Sequence, residues 1–400
     1  MLRLFALLIA VSACVIPARA DPIEEALAAG PRVNAFVSAL WPDAENRGIT
    51  RATFELALGG FTPDPRIIAA THHEPEYSRP AGAYLDALAS PSRIATGAAK
   101  AAQWAAVLDR IEAQYGVERW VVLALWGIES SFGGSADRWD VFRSLATLAE
   151  AHYRDPYFRN ELLVALRILQ EGHIARDKML GSWAGAMGQP QFMPSSFYQY
   201  AVDFSGDGRR DIWTNVPDVL ASIANYLSRS GWRRGLPWGF EVALPRGFDY
   251  RRSRGSFAEW SALGLRRADG DALPREGDAV LLFPSGAAGP AFLVTENFNV
   301  IKLYNNSDLY ALAAGHLADR IRGGRAFRAA WPAYDPQISR EARMALQRKM
   351  RELGYRVNDS AGRLDFAQRD IIRELQVKLR MTPDGQPTPA LLGRLGIVAR

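Results

Sequence analysis

The 400-residue sequence has almost no cysteine, because Cys14 is the only one. A single cysteine near the N-terminus cannot form a disulfide within the mature chain. After the N-terminal segment there is no apolar run of the roughly 20 residues that a membrane-spanning helix needs. Charged residues make up only 23% of the sequence and hydrophobic ones 48%, which is typical of a globular protein. We therefore expect two or three domains, with enough residues for a large hydrophobic core.

The N-terminus has the pattern of an export signal. Arg3 precedes an apolar run over residues 4–11, and Ala18-Arg19-Ala20 is a small-x-small cleavage site. Residues 1–20 are therefore predicted to be a signal peptide that directs the protein to the periplasm. Residues 11–14 also resemble a bacterial lipobox, which would place a lipid on Cys14 and anchor the protein in the outer membrane. Both routes export the chain, and we favour cleavage after Ala20.

Positive charge is concentrated in the last part of the chain. The net charge is +5, whereas residues 337–400 alone carry 13 Lys or Arg against 7 Asp or Glu. Such a basic region could meet nucleic acid, an anionic membrane or an acidic wall polymer. Export argues against nucleic acid, and a solvated basic surface without any partner is the alternative that charge alone favours. We expect a monomer.

A carboxylate stands at the end of the most apolar helical stretch. Residues 117–134 begin as an apolar helix and are predicted to stop at Gly133-Gly134. Glu129 lies on the helical face of Leu125 and Trp126, where it loses contact with water. Desolvation favours the neutral form of a carboxyl group, which is the form that a general acid needs. The alternative is a structural Glu that is partly exposed or ion-paired.

Two further stretches have compositions that suit a binding site. Residues 181–196 are rich in glycine and other small residues, which is typical of a cleft wall that lets backbone approach a ligand. Residues 203–213 match the first part of a calcium-binding EF-hand loop, with oxygen side chains at positions 1, 3, 5 and 9 and glycine at position 6. Thr214 replaces the usual Glu at position 12, so Asp218 would have to close such a site. The alternative is an Asp/Gly turn without metal.

The rest of the chain is predicted to be mainly helical with a small β region. Residues 279–283 and 291–294 are strand candidates on either side of a Gly/Pro turn. Helices are expected over residues 144–153, 160–170, 219–227 and 309–320. An earlier helix is expected to end at Trp41-Pro42, and Thr50 is expected to cap the next one. Residues 326–336 are predicted to be a linker, and residues 337–400 a small three-helix module.

Taken together, the motifs resemble the membrane-bound lytic transglycosylase B family of bacterial cell-wall enzymes. The resemblance covers roughly residues 25–325. Its markers are Gly127-Ile128-Glu129-Ser130, residues 184–188 with 191–196, the loop over 203–208, residues 224–227, and Tyr304-Asn305 with Tyr310. The tail resembles a peptidoglycan-binding domain through Leu353-Gly354-Tyr355 and residues 384–389.

The resemblance implies a lysozyme-like helical catalytic domain over residues 21–325. It also implies cleavage of the β-1,4 bond between N-acetylmuramic acid and N-acetylglucosamine without water. Glu129 would first protonate the leaving oxygen and then act as base towards the C6 hydroxyl of the same muramic acid, which closes a 1,6-anhydro ring. A hydrolase would instead need two carboxylates that flank the bond. No cofactor is needed for this chemistry.

The resemblance also assigns residues to the substrate and to a metal. Peptidoglycan glycan strands are the expected partner. Hydrogen bonding and sugar stacking would be the work of Tyr84, Ser182, Gln191, Phe192, Tyr304, Asn305 and Tyr310. A structural Ca²⁺ ion would be held by Asp203, Ser205, Asp207, the backbone oxygen of Arg209, and Asp218.

Two other functions remain open at this stage. A muramidase would hydrolyse the same bond with Asp137 or Asp140 as its second carboxylate, although neither has an apolar setting in the sequence. A non-catalytic wall-binding protein would use the basic tail module without cleaving glycan. The two are distinguished by their products, since the first releases reducing ends and the second releases nothing.

Overall fold

A computed structural model describes residues 22–71, 79–134, 139–335, 337–358 and 362–397, with side chains from residue 30 onwards. The predicted mainly helical fold with a small β region is confirmed. The helices are α1 (Pro22–Asn46), α2 (Arg51–Leu58), α3 (Pro65–Ala70), α4 (Ala81–Leu88), α5 (Pro91–Gln103), α6 (Ala105–Tyr115), α7 (Arg119–Ser130), α8 (Val141–Glu150), α9 (Tyr157–Gln170), α10 (Pro194–Tyr200), α11 (Val216–Arg229), α12 (Phe257–Ala262), α13 (Glu296–Asn305), α14 (Asp308–Ile321), α15 (Arg340–Glu352), α16 (Phe366–Lys378) and α17 (Pro389–Arg394). The strands are β1 (Trp139–Asp140), β2 (Leu180–Gly181), β3 (Gly239–Ala243), β4 (Arg254–Ser256), β5 (Arg266–Arg267), β6 (Asp278–Leu282) and β7 (Ala291–Val294).

Helix α7 is the centre of the larger hydrophobic core. Its residues from Val121 to Gly127 are all buried, and it packs against α14, α5, α11 and α6. A second core lies around α8 and α9, with contributions from α1, α2 and α10. Residues 181–216 run beside both cores, so the glycine-rich stretch and the aspartate-rich loop are fixed between them.

The small β region is one five-stranded antiparallel sheet. Its strand order is β4-β6-β7-β3-β5, with Val280 opposite Val294 in the pairing of β6 and β7. The two strands expected from the sequence are therefore its centre. Strand β3 was not foreseen. Its Gly239 has a φ of 155° and lies against the backbone of β7, where an added Cβ would be 2.6 Å from the carbonyl oxygen of Leu293.

Helix α1 continues past the proline that was expected to end it. The sequence predicted a stop at Trp41-Pro42, but the helix runs to Asn46 with Pro42 inside it. Leu40 and Ala44, on either side of this proline, are fully buried, and the Trp41 ring meets Phe54 edge-on at 5.2 Å. Tertiary packing here outweighs the hydrogen bond that a proline removes from a helix.

The N-cap of α2 agrees with the prediction from the sequence. Thr50 was expected to cap the next helix, and its hydroxyl accepts a hydrogen bond of 3.2 Å from the backbone N–H of Thr53. The expected helices over residues 144–153 and 160–170 correspond to α8 and α9, with shifted boundaries.

The C-terminal region forms a separate three-helix cluster. Helices α15, α16 and α17 enclose their own apolar core around Leu346, Ile372 and Leu391. The preceding segment, predicted to be a linker, is packed rather than free. Phe327 meets Phe292 edge-on at 4.9 Å, and Asp335 accepts hydrogen bonds from the backbone of Ala81 and the hydroxyl of Ser285.

Some expectations concern residues that the structure does not describe. The predicted signal peptide, Cys14 and Asp137 all lie outside the described ranges. Within those ranges, no helix has the length and apolar character required to cross a membrane.

Candidate active site

Glu129 lies half-buried in the last turn of α7. The helix ends because Ser131 and Phe132 take left-handed conformations, with φ values of 51° and 60°. Phe132 then folds back onto the helix, where its ring meets Trp126 edge-on at 5.4 Å. A Cβ on Gly127 would lie 2.6 Å from the Phe132 ring. The glycine two residues before Glu129 therefore allows the Phe132 ring to pack directly against the helix. The helix therefore ends three residues earlier than the predicted Gly-Gly stop.

Two tyrosines face Glu129 from the distant pair of helices α13 and α14. The hydroxyl of Tyr310 donates a hydrogen bond to Oε1 of Glu129. The hydroxyl of Tyr304 donates to the carbonyl oxygen of Pro190 at 2.7 Å, and its ring interacts electrostatically with Glu129. Burial, together with the charge of Glu129, raises the pKa of both tyrosines well above 10. Both hydroxyls are therefore permanent donors, and neither can serve as a base near neutral pH.

The glycine-rich stretch, which the sequence predicts to be a cleft wall, is compactly folded. Residues 181–192 fold back on themselves through bridges of Met187 to Gly181 and to Phe192. Gly188 has a φ of 62°, and a Cβ there would lie 2.6 Å from the carbonyl oxygen of Ile212. Beyond the turn, the buried carboxylate of Glu161 accepts hydrogen bonds from the backbone and hydroxyl of Ser195, at 2.8 and 2.7 Å. These contacts hold the wall against α9 and the following loop.

Gln189 connects this wall to the Glu129 helix, and the sequence analysis did not single it out. Its Oε1 accepts a hydrogen bond of 2.7 Å from the indole of Trp126, and its Nε2 donates one of 2.7 Å to the carbonyl oxygen of Trp213. Gly133 lies so close that an added Cβ would be 2.6 Å from the same Oε1. The sequence feature that could have indicated Gln189 is a polar residue between Gly188 and Pro190, within a stretch of small residues.

The other predicted substrate residues differ in how they are placed. Ser182 and Gln191 lie half-buried on the wall, where the Ser182 hydroxyl accepts from the backbone of Ala186 and the Gln191 amide donates to Gly188. Tyr84 is buried on α4 and interacts electrostatically with Tyr310. Asn305 is exposed at the end of α13.

Phe192 does not have the stacking role that was expected of it. Its side chain is only 2% exposed, and its ring packs against Tyr200, Tyr226 and Tyr304 at centroid distances of 6.4, 5.8 and 6.0 Å. A sugar ring cannot reach a face that is already covered by tyrosines. Phe192 instead packs against Tyr304 within this aromatic cluster and so helps to fix the position of the tyrosine ring.

The aspartate-rich loop has the backbone of a calcium loop. Gly208, at position 6, has the left-handed φ of 86° that the sharp turn of an EF-hand requires. Asp203, Ser205, Asp207 and Arg209 are all exposed along it. Their oxygens are hard donors of the type that Ca²⁺ prefers, so this part of the loop fits the ion. Among the described residues, however, no three acidic, histidine or cysteine side chains converge as a metal site.

Asp218, the predicted closing ligand, lies beneath the loop. It is fully buried at the start of α11, and its Oδ1 accepts hydrogen bonds of 2.9 Å from the backbone of both Phe204 and Ser205. Its Oδ2 accepts another of 3.1 Å from Asp211. With both oxygens taken by loop N–H groups, Asp218 anchors the base of the loop.

Of the two candidates for a second carboxylate, only Asp140 lies in the described residues. It caps α8 through the backbone N–H of Arg143 at 2.9 Å, and it forms an ion pair of 2.6 Å with Arg176. A carboxylate with these two partners is held in place for structural reasons. It has no described contact with Glu129.

A cavity of about 550 Å³ lies at the other end of α7 and includes none of the predicted site residues. Its wall contains Glu118, which precedes the helix about 16 Å from Glu129 along the axis. It also contains Asp319, whose pKa is raised to about 6 by burial. Each of these carboxylates accepts an indole N–H, from Trp232 and Trp238 respectively. They provide controls for any test of Glu129.

Comparisons with known proteins indicate the family of the chain. The family described as Transglycosylase SLT domain matches residues 32–319. The sequence is 33% identical over 254 residues to membrane-bound lytic murein transglycosylase B of Escherichia coli strain K12, which covers 61% of this chain and 69% of the relative.

Two solved structures are similar to the fold. SltB3 of Pseudomonas aeruginosa in complex with NAG-anhNAM-pentapeptide is 44% identical, with a TM-score of 0.82 over 91% of this chain and 99% of that one. Escherichia coli Slt35 in complex with calcium is 26% identical, with a TM-score of 0.60 over 73% of this chain and 93% of that one. The chain therefore belongs to the transglycosylase SLT domain family and has its lysozyme-like fold. It is a lytic transglycosylase.

Proposed function

We propose that the protein cleaves the β-1,4 bond between N-acetylmuramic acid and N-acetylglucosamine in peptidoglycan, with Glu129 as the single acid and base. The observation that carries this proposal is the environment of Glu129. It is half-buried and it receives the Tyr310 hydroxyl, while Asp140, the described candidate for a second carboxylate, is bound by Arg143 and Arg176. One carboxylate suffices when the nucleophile is a hydroxyl of the sugar itself.

The reaction proceeds in two proton transfers. Protonated Glu129 gives its proton to the glycosidic oxygen as the bond from C1 of muramic acid to that oxygen breaks. The resulting carboxylate then takes the proton of the C6 hydroxyl, whose oxygen forms a new bond to C1. The 1,6-anhydro ring closes, Glu129 regains its proton, and no water is consumed. The Tyr310 hydroxyl stabilises the carboxylate between the two steps, because a donor is most strongly bound by an ionised acceptor.

The muramidase alternative has less support. It needs a second carboxylate across the bond from Glu129, and Asp140 is held by the backbone N–H of Arg143 at the start of α8 and by an ion pair with Arg176. Asp137 lies outside the described residues. In addition, SltB3, a relative of known structure, was solved with an anhydro-muramyl peptide, which is the product class of the non-hydrolytic reaction.

The test is mass spectrometry of the soluble products that the purified protein releases from peptidoglycan. Products with anhydro ends, lighter by one water than hydrolytic products, are expected. Glu129→Gln should abolish release, because the amide of glutamine has no acidic proton to give and cannot act as a base. The variant should stay folded, since glutamine can still accept the Tyr310 hydrogen bond. Asp319→Asn is the matched control, since it neutralises a buried carboxylate elsewhere and should remain active. Reducing-end products would make the protein a hydrolase, and an active Glu129→Gln variant would exclude the assignment.

We further propose the cellular setting and the roles of the remaining parts. The predicted signal peptide would deliver the enzyme to the periplasm, with or without lipid on Cys14. The C-terminal module would bind peptidoglycan, as its basic composition and its sequence resemblance indicate. A Ca²⁺ ion bound to Asp203, Ser205, Asp207 and the backbone oxygen of Arg209 would stiffen the loop without taking part in the reaction.

A further inference from the structure

The C-terminal module contacts the catalytic domain beside the two tyrosines of the active site. Arg369 of α16 donates hydrogen bonds of 2.6 and 3.1 Å to Oδ2 of Asp308, the first residue of α14. The side chains of both residues are only 9% exposed. Lys302 of α13 lies 2.7 Å from the other oxygen of Asp308, in an ion pair rather than an aligned hydrogen bond.

Arg369 is itself fixed by its own module. Its Nη1 donates to the carbonyl oxygen of Gly385 and to the side chain of Gln386, at 3.2 and 2.9 Å. Lys302 is held in the same way, since it donates a hydrogen bond of 2.8 Å to the carbonyl oxygen of Leu364. The module therefore holds both ends of the turn between α13 and α14 through backbone and side-chain contacts that do not depend on the cleft.

This turn carries the active-site tyrosines. Tyr304 follows Lys302 by two residues on α13, and Tyr310 follows Asp308 by two residues in the first turn of α14. Ser307 caps that turn by accepting the backbone N–H of Tyr310 at 3.3 Å. A displacement of Asp308 must therefore move the Tyr310 backbone, and with it the hydroxyl that binds Glu129.

We propose that Arg369 is a positioning residue for the reaction, which holds Asp308 and so fixes the Tyr310 hydroxyl against Glu129. The C-terminal module is then a part of the catalytic apparatus as well as a binding module. This inference rests on the proposed role of Glu129. The physical reason for a positioning role is the burial of this ion pair. Removing Arg369 would leave the buried charge of Asp308 partly uncompensated, and the surrounding residues would rearrange.

The experiment compares full-length variants on soluble, peptide-bearing glycan strands of alternating N-acetylglucosamine and N-acetylmuramic acid. Arg369→Gln should lower kcat about 10- to 100-fold, as expected for a small misplacement of a catalytic contact. KM should stay within about twofold, because Arg369 does not contact the substrate. Arg254→Gln is the matched control. It removes an ion pair of 2.9 Å between Asp370 of the same module and strand β4, away from the tyrosines, and its kcat should change less than about twofold.

A double-mutant cycle separates positioning from general loosening of the fold. In a Tyr310→Phe background the further change Arg369→Gln should have little effect on kcat, because the hydroxyl that it positions is already gone. Arg369→Lys, which keeps the charge but not the two-pronged contact, should retain part of the wild-type kcat and serves as the test if Arg369→Gln does not fold. Additive losses in the cycle, or equal losses in Arg369→Gln and Arg254→Gln, would overturn the proposal.

The same experiment distinguishes failure of this inference from failure of the proposed function. If the wild type releases anhydro products and Glu129→Gln releases none, the role of Glu129 stands whatever Arg369 does. If the wild type releases no anhydro products, the proposed function fails first, and the kinetic comparison then overturns the positioning role as well.

Discussion

The hydroxyl of Tyr310 binds the carboxylate of Glu129 across 181 residues of sequence. It brings the end of the central helix α7 together with the beginning of α14, the helix that packs most extensively against it. Because burial and the charge of Glu129 keep the pKa of Tyr310 well above 10, the hydroxyl remains a hydrogen-bond donor near neutral pH. In the proposed reaction Glu129 transfers the protons, and the Tyr310 hydroxyl is a permanent hydrogen-bond donor to it.

Replacing Tyr310 with Phe should lower kcat about 10- to 100-fold without unfolding the protein. A hydrogen bond to an ionised group is worth about 1.5–3 kcal/mol, and this one is strongest when Glu129 is ionised between the two proton transfers. Release of anhydro products from peptidoglycan measures the effect. Tyr250→Phe is a matched control, since that tyrosine is half-buried against Phe283 in the β region. Equal activity of the two variants would show that the Tyr310 hydroxyl has no part in the reaction.

The sequence singled out Glu129 as the candidate catalytic residue because the signal was local. A carboxylate at the end of a long apolar helix stands out without any knowledge of the fold, and the strands β6 and β7 were equally visible from their composition. Gln189 and the covered ring of Phe192 were not visible, because their roles depend on which distant side chains pack against them. The predicted end of α1 at Pro42 was wrong for the same reason, because tertiary packing outweighed the local tendency of proline to end a helix.

Calcium should raise the melting temperature of protein that has first been treated with a chelator. An ion that binds only the folded state stabilises it by mass action, and at about 100 times its Kd the gain is roughly 2.7 kcal/mol, or about 5 °C. Asp203→Asn should remove the shift, because it takes away one charge and one of the two oxygens, which accept hydrogen bonds from the loop N–H groups of Gly206 and Gly208 respectively. Asp177→Asn, an exposed aspartate elsewhere, should leave the shift intact. An unchanged melting temperature of the wild type would remove calcium from the proposal.

The free energy of unfolding should depend on pH through two titratable groups in the second half of α14, Asp319 and His316. Their pKa values are shifted in opposite directions. Burial raises the pKa of Asp319 from 3.8 to about 6, despite the nearby Arg267 and Arg322. The folded state then binds the proton more tightly than the unfolded state, so this contribution to stability is present below about pH 3.8 and is lost as the pH rises to 6. Burial, with the charge of Arg320, lowers the pKa of His316 to about 4, so its contribution is lost as the pH falls from 6.5 to 4.

The two effects oppose each other between pH 4 and 6, and a variant separates them. Asp319→Asn keeps an acceptor for the Trp238 indole but cannot ionise. It should raise the free energy of unfolding at pH 7 by about 1 kcal/mol and leave that at pH 4 nearly unchanged, after allowance for partial exposure of the group. Melting curves from pH 4 to 7 measure this, with Asp177→Asn as the exposed control. A variant with the same pH dependence as the wild type would contradict the assignment.

Adding a methyl group at Gly133 should harm catalysis beyond its effect on the backbone. Gly133 and Gly172 both have left-handed φ values, of 81° and 73°, so alanine costs about 1–2 kcal/mol of backbone strain at either position. At Gly172 the new Cβ meets nothing within 4 Å, whereas at Gly133 it would lie 2.6 Å from Oε1 of Gln189. Gly133→Ala must therefore displace the side chain that joins Trp126 to the cleft wall. We expect similar melting temperatures for the two variants to within a few degrees, but a kcat at least about tenfold lower for Gly133→Ala alone. Equal kcat values would mean that the Gln189 bridge serves only the stability of the wall and does not position the end of the Glu129 helix.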